Sequence, residues 1–406
     1  MGAVRRWILM LVLGISGGVI FLLPFLREFL YKPLSDALAL NNTEFGMLMS
    51  VFGIASMLAY VPGGWVADRY SPRKLITLSL FLMGGLGLYF STFPGYRASL
   101  LIHAGWGVAI TLMFWASMLR VTRGWAPPDE QGRAFGILET TRGVAEMAVN
   151  GSLLAIFVWL GSTDQAVSTV IVVLSVLTIA LGVLSWFVIE DTVADRGDSE
   201  QIRLADVRRV LSMPVVWLIA LVILAAYSAY WTSFYFTPYA TDVFLMSSGM
   251  AGAVSIARMW LKPGAAVLAG FAADRFGIAR TTVVLFVVLI VSFSLFAVTP
   301  ADPAIVWLML ANIAIAAIAI FALRGIYFAL LEEGGVPVAV TGTAGGVASF
   351  VGYTPDIYMP YIGGVLLDAY PGVEGYRYFY LIAVGFCTLG FVAALLIYRR
   401  TRTHHD

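Results

Sequence analysis

Runs of roughly 20 apolar residues recur along the chain with short polar interruptions, each long enough to cross a hydrocarbon core about 30 Å thick. The pattern predicts twelve helical spans, at 7–31, 44–67, 75–94, 98–122, 133–160, 166–189, 214–241, 247–273, 281–299, 303–325, 340–366 and 376–398. An all-α polytopic membrane protein is expected. The first run follows Arg5 and Arg6 as a secretion signal would, but no small-residue cleavage site comes after it, so it is expected to stay as a helix. The longest polar stretch, Glu190 to Arg209 (EDTVADRGDSEQIRLADVRR), follows the sixth span. It divides the chain into a six-helix bundle at 1–189, a cytoplasmic linker at 190–213 and a second six-helix bundle at 214–406.

Composition agrees with this picture. Of 406 residues, 60% are hydrophobic and 12% charged, about half the charged share of a soluble domain. The single cysteine, Cys387, falls in the last span, which excludes a disulfide or a cysteine metal site within one chain. The net charge of +1 says nothing about partners, but the placement of the cations is informative. Arg5, Arg6, Arg69, Arg73, Lys74, Arg120, Arg123, Arg133, Arg196, Arg203, Arg208, Arg209, Arg275, Arg280, Arg324, Arg399, Arg400 and Arg402 all fall on one side if the N-terminus is inside. Lys32, Arg97 and Arg377 fall outside. The positive-inside rule therefore places both termini in the cytoplasm. His404 and His405 read as a solvated tail, not a metal site.

Two turns repeat half a chain apart. Gly64-Trp-Val-Ala-Asp68-Arg69-Tyr-Ser71 follows the second span, and Gly270-Phe-Ala-Ala-Asp274-Arg275-Phe-Gly277 follows the eighth. An acid at a helix end with cations just past it can form a latch on the cytoplasmic face: Asp68, Arg69 and Arg73 in one copy, Asp274 and Arg275 in the other. Alternatively, these charges are topology signals in a tight turn. The first copy, GGWVADRYSPRK, resembles the signature loop Gly-x-x-x-Asp-Arg-x-Gly-x-Arg-Lys of the major facilitator superfamily, and GFAADRFGIAR resembles its degenerate second copy. Ser71 replaces the usual glycine and Pro72 follows it. The resemblance implies two similar six-helix halves working by alternating access.

Ionisable groups at membrane depth mark function or structural ion pairs. Glu139, Arg142, Glu146 and Asn150 share one face of span five by their spacing. Arg258 and Lys262 lie one turn apart in span eight, and Asp356 lies in span eleven. Helical rise puts Arg142 about 14 Å and Glu146 about 20 Å from Arg133, and Lys262 about 18 Å and Arg258 about 24 Å from Asp274. It also puts Asp356 about 24 Å from residue 340. The superfamily resemblance implies that spans five and eight face each other, and hence that Glu146 meets Lys262. Desolvation disfavours the ionised form of a buried carboxyl, so the deep set is expected to hold surplus positive charge.

The segment Lys262-Pro263-Gly264 resembles the Arg-Pro segment in the eighth helix of monocarboxylate transporters and oxalate/formate antiporters, where the cation binds a substrate carboxylate. The expected substrate-binding residues are Arg258, Lys262 and Arg142, with Tyr227, Tyr230 and Trp231 of span seven and Asn312 of span ten. Phe234 and Tyr235 extend this aromatic wall, and Trp106 and Trp115 of span four face the same role. Glu146, Asp356 and Glu139 are the expected proton carriers. Arg27 and Glu28 are placed at the outer rim as an outer gate, with snorkelling as the bland reading. Span eleven, rich in glycine and broken by Pro355 and Pro360, suits either close packing or a moving gate.

The expected function is a secondary transporter of a small carboxylate-like anion with a proton as coupling ion, embedded in the inner membrane as a monomer. No cofactor, metal or nucleic acid is expected. A proton-coupled exporter of amphipathic drugs is the alternative among transporters. A membrane sensor would call for a sizeable soluble output domain, and an enzyme for a triad, metal cluster or phosphate loop at depth.

Overall fold

A computed structural model describes residues 3–125, 130–190, 204–337 and 340–402, and among these every regular element is helical. Linker residues 191–203, with Arg196 and Arg203, and the tail histidines His404 and His405 lie outside the described residues. The described end of the linker forms a short helix, Leu204–Leu211.

The first six spanning helices are α1 (Arg5–Ala37), α2 (Asn42–Arg69), α3 (Pro72–Phe90), α4 (Tyr96–Trp125), α5 (Gln131–Trp159) and α6 (Asp164–Val188). The next are α7 (Pro214–Asp242), α8 (Ser248–Phe276), α9 (Ile278–Val298), α10 (Val306–Glu333), α11 (Thr341–Gly352 continued by Pro355–Ala369) and α12 (Val373–Arg402). Among the described residues, nine helices are long and apolar enough to cross a membrane by composition alone. The other three are α5, α8 and α11. Glu139, Arg142 and Glu146 lie in α5, Arg258 and Lys262 in α8, and α11, which holds Asp356, is broken at Tyr353 and Thr354 ahead of Pro355. Polarity on those helices is thus concentrated where chemistry was expected.

Two compact units divide the chain: Met1–Gly197 with Ser248–Ile256, and Asp198–Ser247 with Ala257–Asp406. The first turns of α8 therefore group with the first unit, although the sequence boundary put them in the second. Three small residues account for this. Ser255 Oγ donates to the carbonyl of Glu28 at 2.9 Å. A Cβ at Gly252 would lie 2.8 Å from the Phe29 carbonyl, and one at Gly249 would lie 2.9 Å from Val158.

Within the first unit α1 packs on α5, α2 on α4 and α3 on α6. Within the second, α7 packs on α11 and α9 on α12, and α8 meets α10 through Ala269, Ala273, Ala322 and Ile326. The same three pairings recur six helices later, which is the structural form of the sequence repeat. Lipid offers no hydrophobic drive for helix association, so close backbone approach carries it. A glycine stands at each seam. Gly18 abuts the Arg142 carbonyl, Gly63 the Thr111 carbonyl and Gly84 the Ser175 carbonyl. In the second unit Gly352 abuts Ile223, Gly325 abuts Ala266 and Gly390 abuts Phe286. Large apolar side chains such as Trp159, Phe187, Phe271 and Trp307 face outward, as lipid-covered surfaces require.

The two repeated corners differ in construction. At the first, Ser71 is extended (φ −61°, ψ 125°) and Pro72 opens α3, so no left-handed residue is needed. At the second, Gly277 has φ 91°, a conformation open to glycine, which explains why glycine persists in that copy alone. The Arg120 guanidinium donates to the carbonyls of Ala67 and Tyr70 at the end of α2. The Glu333 carboxylate instead accepts from the backbone N–H of Ile278 (2.7 Å) and Ala279 (3.1 and 3.2 Å) at the start of α9. A cation on a helix C-terminus and an anion on an N-terminus both oppose the helix dipole.

Candidate functional site

In the first unit the chemistry gathers on Arg142. Its side chain is 17% exposed. Nε donates to the Gly17 carbonyl at 3.3 Å, and Nη1 is paired with Glu139. The guanidinium carbon lies 5.1 Å from the Trp115 ring centre and 6.0 Å from that of Phe21. Residues Ala109–Trp115 of α4 wind as a π-helix, which shifts the register of α4 just where Trp115 reaches Arg142. Gly17 leaves the space that the Arg142 stem occupies, since a Cβ there would lie 3.0 Å from Arg142 Cδ.

The expected companions of Arg142 behave differently from one another. Glu139 is 61% exposed in its side chain and pairs with Arg142 one turn away as its counter-ion. Glu146 is half-buried and Asn150 is buried on the same helix. Trp106, expected on the cavity wall, donates to the Met83 carbonyl (3.1 Å) and packs on Phe90 and His103. His103 in turn bonds the Ser99 carbonyl at 2.8 Å. Both belong to the interior packing of the unit.

Arg27 does not snorkel at a rim. It is 1% exposed, donates to the Phe45 carbonyl at 3.1 Å, and stands 4.7 Å from the Phe45 ring and 5.0 Å from the Tyr31 ring. Glu28 beside it is buried, and its carbonyl receives Ser255. The helix bends here because Leu30 leaves helical geometry (φ −118°, ψ 35°).

In the second unit α7, α8, α10 and α11 converge. Arg258 is 2% exposed and donates to Ser233 Oγ, with its guanidinium 5.9 Å from the Phe234 ring and 6.0 Å from that of Phe321. Lys262, one turn further along α8, is exposed on the surface of its unit. Trp231 Nε1 donates to Asp356 Oδ1 at 2.6 Å, and the Tyr227 hydroxyl bonds the same carboxylate. Tyr227, Tyr230 and Tyr353 form one ring cluster, and the hydroxyls of Tyr327 and Tyr353 are 3.3 Å apart.

Arg324 enters this cluster although it was counted among the loop cations. Its guanidinium carbon lies 3.9 Å from the Tyr230 ring centre and 5.6 Å from that of Tyr227. Span ten was expected to end at 325, just past the charge. The α-helix ends at Ile326, and the segment runs on through a 3-10 turn, Tyr327–Ala329, and a short helix to Glu333, so Arg324 sits in the last α-helical turn of a longer helical segment. Aromatic residues spaced three apart around it (Phe321, Tyr327) were the signal available in the sequence.

Asn312, expected to meet substrate, is corrected. It is 6% exposed, donates from Nδ2 to the Ser292 carbonyl (3.0 Å) and accepts from Ser292 Oγ (2.7 Å). Both ends of its amide are engaged in fastening α9 to α10, the usual use of a polar residue between membrane helices. Tyr235, likewise, donates to the Pro360 carbonyl at 2.8 Å and lies on Gly363.

At the repeated corners Asp68, Arg69, Asp274 and Arg275 are exposed. Arg69 lies over Trp65 (4.3 Å), Arg73 over Trp186 (4.6 Å) and Arg275 over Phe276 (5.3 Å). Among the described residues neither Asp68 nor Asp274 forms an ion pair.

Comparison with known proteins places this arrangement. The chain is 29% identical to the inner membrane protein YqcE of Escherichia coli (strain K12), over 98% of its own length and 96% of that protein's. Over a shorter stretch, 30% of this chain and 28% of the relative, it is 33% identical to "Probable anion transporter 6" of Oryza sativa subsp. japonica. Its fold matches that of a bacterial homolog of the human lysosomal transporter Spinster with a TM-score of 0.81, covering 98% of each chain at 15% identity. The sequence profile described as Major Facilitator Superfamily matches residues 6–357. With twelve membrane-spanning helices in two six-helix bundles, the chain belongs to the Major Facilitator Superfamily.

Proposed function

We propose that this integral inner-membrane transporter carries a small organic anion, carboxylate-like in shape, by alternating access and with proton coupling. One observation carries the reading: guanidinium groups at membrane depth are laid against aromatic rings. Arg142 lies by Trp115 and Phe21, and Arg258 by Phe234 and Phe321. Rings over the face of a guanidinium fix the plane of its N–H groups, and a fixed plane suits a planar oxyanion that competes for them. Lys262 adds a point charge one turn from Arg258. The similarity to a protein named as an anion transporter supports the same reading.

The competing exporter of amphipathic solutes drew on the aromatic wall of α7. Trp231, Tyr230 and Tyr235 are occupied by Asp356, Arg324 and the Pro360 carbonyl, so that wall is built around polar partners. The protein works as a single chain with both termini in the cytoplasm. The corners at Asp68–Arg69–Arg73 and Asp274–Arg275 serve as its conformational latch, and Arg27 with Glu28 as its outer gate.

The test is uptake of radiolabelled carboxylates, sugar acids, sulfonates and phosphate esters into proteoliposomes. The wild type takes up at least one of them. Arg258→Ala and Lys262→Ala each remove that uptake while remaining folded by size-exclusion chromatography. Wild-type rates in both variants would overturn the assignment.

A further inference from the structure

Asp356 occupies a set of donors that suits an incoming anion. Its Oδ1 accepts from Trp231 Nε1 at 2.6 Å and the Tyr227 hydroxyl bonds it, while Arg324 lies on the Tyr227 ring at 5.6 Å without an ion pair to Asp356 among the described residues. An indole N–H and a phenol O–H hold this carboxylate of the protein itself, and a guanidinium stands beside them on the Tyr227 ring, so the three donors together suit an oxyanion. Three helices build the cluster: α7 supplies Tyr227, Tyr230 and Trp231, α10 supplies Arg324 and Tyr327, and α11 supplies Tyr353 and Asp356. Tyr230 and Tyr227 hold the Arg324 guanidinium against their rings, which fixes the direction of its N–H edge.

We infer that Asp356 is the proton-coupling carboxylate and Arg324 an anion-binding residue, the two linked by competition for one donor set. The inference rests on the anion reading above and assigns to it residues that the sequence placed elsewhere or left open. Two carboxylates beside one guanidinium repel each other strongly where the dielectric is low. A substrate carboxylate therefore enters only as Asp356 takes up a proton from water. The protonated Asp356 needs no cation, and Arg324 and the Tyr227 hydroxyl pass to the substrate. On release, the anion leaves, and Asp356 returns its proton to water and takes back the Tyr227 hydroxyl and the field of Arg324. One proton and one anion travel together, so a monoanion moves without net charge. Linkage makes the coupling reciprocal: bound anion favours the proton as much as the proton favours the anion.

Anion affinity of the purified full-length protein, measured by calorimetry across neutral and mildly acidic pH with the same panel of carboxylates, sugar acids, sulfonates and phosphate esters, tests this. Wild-type affinity is expected to rise on acidification by up to about tenfold per pH unit, the limit for one linked proton. Asp356→Asn is expected to bind with little pH dependence, and in proteoliposomes to exchange substrate without accumulating it on a pH gradient. Arg324→Lys keeps the charge but loses the bidentate edge, so it should weaken binding at every pH while retaining the slope. Glu146→Gln, the rival carboxylate, should retain the slope as well. If Asp356→Asn keeps the wild-type slope, or Glu146→Gln abolishes it, the inference is overturned while the anion reading stands. If no panel anion binds the wild type at any pH, the anion reading falls and this inference with it.

Discussion

Single residues decide how closely the helices of each unit approach. Gly18 of α1 lies against the carbonyl of Arg142, so a methyl group there would meet backbone and not a yielding side chain. Gly18→Ala should therefore push α1 from α5 and cost about 1–3 kcal/mol, the usual range for overpacking. Gly85 in α3 has nothing within 4 Å of an added Cβ. Gly85→Ala should be neutral or gain about 0.5–1 kcal/mol from the lower chain entropy of alanine. Thermal unfolding of the two purified variants checks the contrast, and equal melting temperatures would refute it. Arg142 then depends on this seam, because the same approach delivers the Gly17 carbonyl to its Nε.

Helix ends set by local pattern are legible in the sequence, and ends marked by a single charge are less so. The cap Asn41, with Glu44 three residues on, forms the reciprocal capping box that opens α2. By contrast, span ten ends at 325 by hydropathy and its α-helix ends at Ile326, yet the helical segment continues through a 3-10 turn at Tyr327–Ala329 to Glu333. At the α2–α3 corner Asp68 is exposed and Arg120 clasps the end of α2. The latch proposed for this corner makes a prediction about rate and affinity. Asp68→Asn is expected to slow maximal uptake several-fold in proteoliposomes and to leave calorimetric anion affinity unchanged. A large loss of affinity with an unchanged maximal rate would count against the latch.

At the scale of the molecule, the cation bias predicts which loops face the cytoplasm. Ser212, next to the linker helix, is expected inside and Ala301, between α9 and α10, outside. Cys387 is buried and is the only cysteine in the sequence, so one substitution, Cys387→Ser, gives a cysteine-free background. In intact cells a membrane-impermeant maleimide should label Ala301→Cys and spare Ser212→Cys until the membrane is permeabilised. The reverse pattern would invert the topology.

The sequence by itself determined the fold class, the twelve spans, the six-plus-six division and the superfamily, because hydropathy, cation placement and a repeated corner are one-dimensional signals. It also singled out Arg142, Arg258, Tyr227, Tyr230, Trp231 and Asp356, since a polar group in an apolar run is visible without its partner. Which of them work together was decided only by tertiary structure. Trp231 and Asp356 are 125 positions apart and share a hydrogen bond. Asn312 carries the same polar signal as a substrate ligand but is engaged by Ser292. Glu139 and Arg142 point to depth by spacing, yet the first is exposed and serves the second. Arg324 falls at the edge of its apolar run, so hydropathy groups it with the loop cations, and only the packing of Tyr227 and Tyr230 on it shows its place. Partnership depends on which helices the glycine seams bring together, and that is a property of packing in three dimensions.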